Sequence, residues 1–348
     1  MGNGYYLIVE TTESPAAGEI KSLVMLDTAN NESVNIESKS DSVPVDKSTS
    51  KEYAVDKASV SVGDSIPFTI TSKVPANIAE YDQYTFVITD TMSTGLDYND
   101  DIVVKVNNVE VQDVVTVEGQ KITVDLGAYI LANKTTLGGA DIVITYNATL
   151  TADAVTEDEI NNTATIEYSN DPYTNKTGTT TPDIVEFDLY DIAIDKQNND
   201  GNPLADAKFQ LTNEHREYAI ATGTNGTYNI TGWTATAESA TTFVSSATGD
   251  VNIDGLAAGT YTLTETEAPD GYNLLDDPIT ITIANDGKVT TSITDGVVTA
   301  ITVVNQTGTE LPSTGGMGTT IFYALGGTLV VAAAVLLITK KRMHNAED

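Results

Sequence analysis

The chain has 348 residues, enough for about two to three domains, and fifty acidic residues against seventeen basic ones give it a net charge of −33. So acidic a chain is not a nucleic-acid-binding protein, because it has no basic patch to neutralise phosphates. Cysteine is absent, which excludes disulfides, thiolate metal sites and cysteine nucleophiles. The two histidines, His215 and His344, are too few for a histidine-based metal site, and we expect no metal ion or cofactor.

Short β-strands are predicted along most of the chain. Alternating apolar and polar residues, or runs rich in Val, Ile, Thr and Tyr, occupy residues 59–62, 67–72, 84–89, 102–106, 121–126 and 141–150. Turn pairs such as Asn107-Asn108 lie between them. A second series runs from Phe187 to Asn305, and the Ala/Ser/Thr-rich residues 234–248 within it are expected to form a surface loop. This pattern predicts an all-β fold of tandem antiparallel sandwiches.

Composition divides the chain into segments. Residues 1–44 are too few for a domain, and we interpret them as the remnant of a truncated N-terminal domain. We expect residues 45–175 to form the middle sandwich, residues 176–186 a polar linker, and residues 187–306 the second sandwich. The chain opens without a basic and apolar export signal, so we expect the natural protein to have further sequence upstream.

The C-terminus carries a three-part signal. Residues 319–339 lack charge and are long enough to cross a hydrocarbon core of about 30 Å as a transmembrane helix, and the basic tail 340–348 is expected in the cytoplasm. Just before the helix stand Leu311, Pro312, Ser313, Thr314 and Gly315. This arrangement resembles the LPxTG cell-wall sorting signal of Gram-positive surface proteins, which implies sortase cleavage after Thr314. An ordinary tail anchor is the alternative.

A second motif lies in the second sandwich. Residues 261–272, YTLTETEAPDGY, resemble the E-box of Cna B-type domains, YxLxETxAPxGY, with every fixed position filled. Ile194-Asp195-Lys196 resembles the first strand of that family and residues 301–305 its last strand, so the resemblance covers about residues 187–306. Asp206 stands where the family more often has Gly. The resemblance implies an Ig-like, Cna-type sandwich.

Three residues of this region fit an internal crosslink. Tyr261, Leu263 and Glu265 alternate at period two, so Glu265 is expected to face the core. Burial favours the neutral forms of lysine and carboxylic acid, so Lys196 could attack the Asn305 amide while a protonated Glu265 polarises its carbonyl. The product is a Lys–Asn isopeptide bond. The alternatives are a solvated Glu265, an exposed Lys196 and a glycosylation sequon at Asn305.

The middle sandwich contains a related pattern. Residues 84–96, YTFVITDTMSTGL, resemble the central domain of fimbrial backbone pilins over about residues 45–175. That family forms a Lys–Asn bond assisted by an acid, which implies Lys47, Asn162 and Asp90 here. Lys51 and Lys57 compete for the lysine position, and Asn161 and Asn170 for the asparagine. Asp90 has a second interpretation as a turn acceptor.

Shaft pilins also need an acceptor lysine before the middle domain, and Lys39 has the right position. Glu37 and Ser38 replace the tyrosine and proline of the family's YPK-like motif, so an ordinary surface lysine is equally compatible. The resemblances together imply a major pilin of the cell wall that is not an enzyme. Its partners would be class C and housekeeping sortases, neighbouring pilin subunits and peptidoglycan. A wall-anchored adhesin or minor pilin with host surface ligands is the alternative function.

Overall fold

The computed structural model describes residues 5–9, 16–21, 23–27, 41–50 and 58–307, and nearly all of their regular structure is β. Two small sheets lie near the N-terminus, two larger sheets follow in residues 46–188, and residues 190–305 form an eleven-stranded sheet. The helical elements in these ranges are short: α1 (Gly127–Ala132) and the 3-10 turns Ile78–Glu80, Ala152–Thr156 and Ala237–Ser239.

The strands up to the end of the paired sheets are β1 (Tyr5–Val9), β2 (Glu19–Ile20), β3 (Leu23–Asp27), β4 (Asp41–Ser42), β5 (Asp46–Thr49), β6 (Ala58–Ser59), β7 (Ser65–Lys73), β8 (Phe86–Met92), β9 (Leu96–Tyr98), β10 (Val103–Val106), β11 (Val109–Glu110), β12 (Val115–Glu118), β13 (Lys121–Asp125), β14 (Asp141–Leu150), β15 (Ile160–Ser169), β16 (Thr177–Thr179) and β17 (Asp183–Asp188). Those of the eleven-stranded sheet are β18 (Tyr190–Asn198), β19 (Lys208–Thr212), β20 (Tyr218–Thr224), β21 (Thr227–Thr234), β22 (Phe243–Val244), β23 (Asp250–Leu256), β24 (Gly259–Glu267), β25 (Ile279–Ile283), β26 (Val289–Thr291), β27 (Val297–Val298) and β28 (Ile301–Asn305).

The paired sheets form a sandwich. One sheet has the strand order β11-β10-β14-β7-β5 with β9 on β14, and the other has the order β12-β13-β8-β15-β17-β6 with β16 on β15. Strands β7 and β14 bury every second side chain, which is the period of a strand with one face toward a core. Phe68 of the first sheet meets Phe187 of the second edge to face, with ring centroids 5.9 Å apart. The two apolar faces therefore share one core.

Sequence patterning located five of the strands in these paired sheets. The predicted segments 67–72, 84–89, 102–106, 121–126 and 141–150 overlap β7, β8, β10, β13 and β14. The segment 59–62 is a strand only at its first residue. Beyond that point Val60 and Val62 are buried, but their backbone amides bond outside any ladder, to the carbonyls of Asp188 and Gly255.

The eleven-stranded sheet brings its first and last strands together. Its order is β27-β26-β25-β24-β19-β20-β21-β23-β18-β28, with β22 on β19. Strands β18 and β28 run parallel, and Lys196 lies opposite Val303 in their register. Ile194, Leu211 and Leu263, which lie on β18, β19 and β24 of this order, are all buried in the core.

Residues 234–248 are not wholly the surface loop that their composition predicts. Phe243 is fully buried and packs edge to face on Tyr228, with ring centroids 5.0 Å apart. The two-residue strand β22 pairs with β19, and the Ser245 hydroxyl donates to the carbonyl of Leu204 at 2.8 Å. The prediction is therefore wrong for residues 243–246, because one aromatic residue anchors an otherwise polar segment.

A joint of hydrogen bonds connects the sandwich to the eleven-stranded sheet. The amide of Val62 and the hydroxyl of Ser61 both donate to the carbonyl of Gly255, at 3.2 and 3.1 Å. The indole of Trp233 donates to the Ser61 hydroxyl at 3.2 Å. Because a backbone segment of one unit bonds directly to the other, the two are in close contact at this joint.

The N-terminal segment packs on the opposite end of the sandwich. Ile20 and Val43 are buried, the Lys21 amide donates to the carbonyl of Asn170 at 3.0 Å, and the Tyr168 hydroxyl donates to the carbonyl of Glu19 at 3.1 Å. Lys39, the sorting motif 311–315, the predicted transmembrane helix 319–339 and the tail 340–348 lie outside the described residues. Within the described ranges no helix has the length and hydropathy to span a membrane.

One glycine supports the strand that carries Lys196. Gly249 has φ +84° and accepts a hydrogen bond from the Lys196 amide at 2.9 Å, and an added Cβ would lie 2.4 Å from the Lys196 carbonyl oxygen. We expect Gly249→Ala to lower the free energy of unfolding by about 1–3 kcal/mol, measured by thermal unfolding. Gly296→Ala is the matched control, since Gly296 has the same φ but no atom within 4 Å of the added Cβ. An equal loss in both variants would contradict the steric argument.

Candidate functional sites

Lys196, Glu265 and Asn305 meet in the core of the eleven-stranded sheet, and we call them the C-terminal cluster. They lie on β18, β24 and β28. All three are buried, with Lys196 0% exposed. The parallel pairing of β18 with β28 sets Asn305 opposite Asn198, two positions along from Lys196 and therefore on the same face of the sheet.

One carboxyl group contacts both of its partners in this cluster. Glu265 Oε1 lies 4.0 Å from Lys196 Nζ, and Glu265 Oε2 accepts a hydrogen bond from Asn305 Nδ2 at 2.8 Å. The Leu275 amide also donates to Oε2 at 3.0 Å, which holds the carboxyl in place. Asn305 Nδ2 donates a second bond to the carbonyl of Asn273 at 2.5 Å. The carboxyl therefore lies between the amine and the amide nitrogen.

The environment makes the Lys196 amine a better nucleophile. Burial lowers its pKa to about 8, although the Coulombic attraction of Glu265 opposes the shift. Nζ donates to the backbone carbonyls of Val303 at 3.1 Å and Gln197 at 3.3 Å, and Val303 lies two residues before Asn305 on β28. Among the described atoms, Glu265 Oε1 and Asn305 Oδ1 are buried without a hydrogen-bond partner. A neutral amine beside an amide and a carboxyl group is the arrangement that amide exchange needs.

Lys47, Asp90, Tyr146 and Asn162 form a second group, which we call the central cluster. Lys47 and Tyr146 lie on β5 and β14 of one sheet, whereas Asp90 and Asn162 lie on β8 and β15 of the other. Lys47 Nζ lies 2.7 Å from Asp90 Oδ1, so the ion pair crosses the core between the sheets. Burial lowers the pKa of Lys47, and the nearby Asp90 carboxyl opposes the shift.

Tyr146 is the member of the central cluster that sequence reasoning missed. Its hydroxyl donates to Asp90 Oδ2 and accepts from Lys47 Nζ at 3.1 Å and from Asn162 Nδ2 at 2.5 Å. The available signal was its position: Tyr146 follows Ile142 and Ile144 at period two, which places its polar tip on the buried face of β14. Burial and the Asp90 charge raise the pKa of this hydroxyl, so it stays protonated at neutral pH.

The competing asparagines lie elsewhere. Asn161 precedes Asn162 on β15 and therefore points to the opposite face of its sheet, where it is only half-buried. Asn170 follows the end of β15 and bonds through its backbone to Lys21 and Lys176, in the region where the N-terminal segment packs. Lys51 and Lys57 lie outside the described residues. Of the candidate lysines and asparagines that the structure describes, Lys47 and Asn162 are the two that lie in the cluster with Asp90.

The residue that departs from the family pattern has a backbone reason. Asp206 has φ +65°, in the left-handed region where glycine has no steric penalty, and its amide donates to the Ser245 carbonyl at 3.1 Å. Aspartate is among the residues that tolerate this region best.

Within the described ranges, no group of three or more His, Cys, Asp or Glu side chains is arranged to hold a metal ion.

The lowered pKa of Lys196 predicts a pH dependence in a chain that cannot crosslink. In Asn305→Ala, the Lys196 amine is protonated in both the folded and the unfolded state below about pH 8. The folded state then bears the full cost of burying that charge. Between about pH 8 and the ordinary value of 10.5 the unfolded chain binds more protons, so stability should rise with pH, by on the order of 1–3 kcal/mol. Urea unfolding from neutral pH to about pH 10 measures it. Asn305→Ala combined with Lys196→Met should lack the rise, and an equal rise in that control would contradict the assignment.

Comparison with known proteins finds two family matches in the C-terminal half of the chain. Residues 190–297 match the family described as SpaA, a prealbumin-like fold domain, and residues 303–345 match the LPXTG cell wall anchor motif. Over 87 residues the chain is 34% identical to the fimbrial subunit type 1 of Actinomyces viscosus, an alignment that covers 25% of this chain and 16% of that protein.

Solved structures extend the similarity to the paired sheets. The 35 kDa C-terminal fragment of the major pilin GBS80 of Streptococcus agalactiae is 22% identical, with a TM-score of 0.57 over 76% of this chain and 100% of that one. The group B streptococcus pilus 2b backbone protein is 26% identical, with a TM-score of 0.55 over 77% of this chain and 99% of that one. The anchor motif indicates a location at the cell wall. The chain thus combines a prealbumin-like SpaA domain and an LPXTG anchor motif with the fold of Gram-positive major pilins.

Proposed function

We propose that the chain is the shaft subunit of a sortase-assembled pilus, stabilised by two internal Lys–Asn isopeptide bonds. The observation that carries this proposal is the pair of buried lysine–acid–asparagine clusters, one in each sandwich-like unit and in series along the chain. The fold of major pilins and the anchor motif support the same function. The chain is no enzyme toward other molecules in this proposal.

The C-terminal cluster supports a specific role for Glu265. Lys196 Nζ would attack Asn305 Cγ, and the amide nitrogen Nδ2 would leave as ammonia. The carboxyl contacts Nδ2 at 2.8 Å and lies 4.0 Å from Nζ, so it can take a proton from the attacking nitrogen and give one to the departing nitrogen. Sequence reasoning assigned Glu265 to the carbonyl oxygen of Asn305, whereas the hydrogen bond is to Nδ2. Both roles serve the same bond.

The bond would stabilise the domain by closing a long loop. By analogy with disulfides, crosslinking residues roughly a hundred positions apart contributes about 4–5 kcal/mol through the unfolded state. The chain lacks cysteine, so disulfides cannot supply this stabilisation. The crosslink would also protect the domain mechanically, because tension entering at β18 would pass directly to β28 through it.

Assembly would use the two ends of the chain. A class C sortase would cleave after Thr314 and join its carbonyl to Lys39 of a neighbouring pilin subunit, and a housekeeping sortase would attach the completed fibre to peptidoglycan. Lys39 precedes β4 by two residues, and the segment that follows it packs through Val43 on the end of the sandwich opposite the joint. An acceptor at that end would put both internal bonds in line with the intermolecular ones.

The internal bonds predict a deficit in mass. The intact ectodomain should weigh less than its sequence by one ammonia per bond, two in total, because each bond expels the Asn nitrogen. Glu265→Ala should restore one ammonia, lower the melting temperature and expose the C-terminal domain to trypsin, while Asp90→Ala should restore the other. Intact-mass spectrometry with tryptic peptide mapping measures this. A wild-type protein at its full sequence mass would exclude both crosslinks.

Polymerisation gives a prediction that separates a shaft subunit from an adhesin. Coexpressed with its pilus sortase, the full-length protein should form a ladder that survives boiling in detergent, because its links are covalent. Lys39→Arg should collapse the ladder to monomer, since arginine keeps the charge but stays protonated and cannot act as a nucleophile. Lys21→Arg, at a position whose side chain is partly buried, is the matched control and should leave the ladder intact. A ladder that persists in Lys39→Arg moves the acceptor to another lysine, and the absence of any ladder favours an adhesin or minor pilin.

A further inference from the structure

In the central cluster, the acid contacts the amide only through another side chain. Asp90 Oδ1 lies 2.7 Å from Lys47 Nζ, and Asp90 Oδ2 accepts from the hydroxyl of Tyr146. That hydroxyl in turn lies 2.5 Å from Asn162 Nδ2. An unbroken chain of hydrogen bonds therefore joins the lysine nitrogen to the amide nitrogen, and Tyr146 is its third member.

The C-terminal cluster manages without such a residue. There Glu265 contacts Asn305 Nδ2 directly at 2.8 Å and also faces Lys196 Nζ. Asp90 is one methylene shorter than a glutamate, and it is hydrogen-bonded to Lys47 from the opposite sheet. The Tyr146 hydroxyl occupies the position between the shorter carboxyl and the amide. Both clusters thus connect the acid to the amide nitrogen, directly in the C-terminal cluster and through the Tyr146 hydroxyl in the central cluster.

We propose that Tyr146 is a catalytic residue of the central cluster, which carries a proton from Asp90 to the departing nitrogen of Asn162. The proposal rests on the crosslinking function proposed above. Tyr146 is buried beneath the stacked ring of Phe68, with centroids 5.2 Å apart, and the edge of Tyr98, at 5.9 Å. The leaving nitrogen in so enclosed a site must receive its proton from a side chain.

The step balances in protons and electrons. In the reacting form the Lys47 amine is neutral and Asp90 is protonated on Oδ2. This form has the same number of protons as the ion pair, because the lysine proton has moved to the carboxyl. Nζ donates its lone pair to Asn162 Cγ, which converts the carbonyl to a tetrahedral oxyanion and gives Nδ2 a basic lone pair. As Nζ loses a proton to Asp90 Oδ1, Oδ2 passes its own proton to the Tyr146 oxygen and the Tyr146 hydroxyl proton goes to Nδ2, so the carboxyl never carries more than one proton.

The carbonyl re-forms as the Cγ–Nδ2 bond breaks, and ammonia leaves with the bonding electrons. The products are a secondary amide between Lys47 and Asn162, a neutral Asp90 carrying its proton on Oδ1, and an unchanged Tyr146. One proton has entered the carboxyl at one oxygen and one has left at the other. This shuttle matches the geometry, because each carboxyl oxygen of Asp90 faces a different partner.

Tyr146→Phe tests the proposal, since it keeps the ring between Phe68 and Tyr98 and removes only the hydroxyl. The full chain is made by pulse-labelled cell-free synthesis, and formation of each crosslink is followed by mass spectrometry of tryptic peptides. We expect the Lys47–Asn162 bond to form about 10²- to 10⁴-fold more slowly, the range of general acid–base catalysis. The Lys196–Asn305 bond in the same molecules should form at its normal rate. Tyr98→Phe is the matched control, because the Tyr98 hydroxyl accepts from the Ile102 amide at 2.9 Å, away from the cluster.

A second variant separates proton transfer from positioning. Adding Asp90→Glu to Tyr146→Phe gives the carboxyl the reach of Glu265, so a proton relay predicts that much of the lost rate returns. A loss that this double variant does not recover would assign the hydroxyl to positioning and overturn the relay. Should Tyr146→Phe not fold, 3,5-difluorotyrosine at position 146 replaces it, since it retains the hydroxyl but makes it more acidic. The relay then predicts a shifted pH profile of bond formation, and an unchanged profile overturns it.

The same experiment distinguishes failure of this proposal from failure of the crosslinking function. A wild-type chain that never forms the Lys47–Asn162 bond overturns the crosslink itself, and the role of Tyr146 with it. A wild-type chain that forms the bond, with Tyr146→Phe forming it at the same rate, overturns only the catalytic role of the tyrosine.

Discussion

The structure depends on placing a lysine where water cannot reach it. Lys196 is 0% and Lys47 6% exposed, and removing an ammonium group from water costs several kcal/mol even after relaxation. An acid close by offsets only part of this cost, as the lowered pKa values of both lysines show. Replacing the amine and the amide by a single secondary amide would remove the ionisable lysine altogether. Each unit is thus built around a buried polar cluster, and the proposed crosslink would lower the cost of burying it.

The two clusters solve this problem in different geometries. In the C-terminal unit, Lys196 and Asn305 lie on parallel neighbouring strands, so strand register alone sets their approach. In the central unit, Lys47 and Asn162 lie on facing sheets, and the approach depends on how the two apolar layers pack. In the central cluster the Tyr146 hydroxyl lies between Asp90 and Asn162, whereas Glu265 contacts Asn305 directly in the C-terminal cluster. The two placements in the fold thus differ in the side chains that connect the acid to the amide.

Sequence predicted what depends on local periodicity and turn chemistry. The Asn107-Asn108 pair adopts φ +50° and +63°, as a tight turn between β10 and β11 requires, and the period-two pattern of β24 correctly placed Glu265 inside. Periodicity indicates that Tyr146 faces the core, but it could not show that Tyr146 meets Asp90 and Asn162, because those two partners belong to strands of the facing sheet. Phe243 was missed for a related reason, since its burial comes from Tyr228 and from pairing with β19 instead of from its polar neighbours.

In the proposed crosslinked chain, tension would bypass most of both units and concentrate on residues 163–195. Force would cross from Lys47 to Asn162, travel along the backbone to Lys196, and cross again to Asn305. Within that stretch β15 and β17 pair antiparallel as a wide hairpin, with Asn162 opposite Val185, two pairs from its open end. A hairpin pulled from its open end breaks one hydrogen bond at a time, whereas the parallel strands β18 and β28 would be loaded together in shear. The hairpin and the adjoining joint at Gly255 are therefore where the shaft would yield first. Extension there would be limited to on the order of 100 Å, the reach of the backbone between the two bonds.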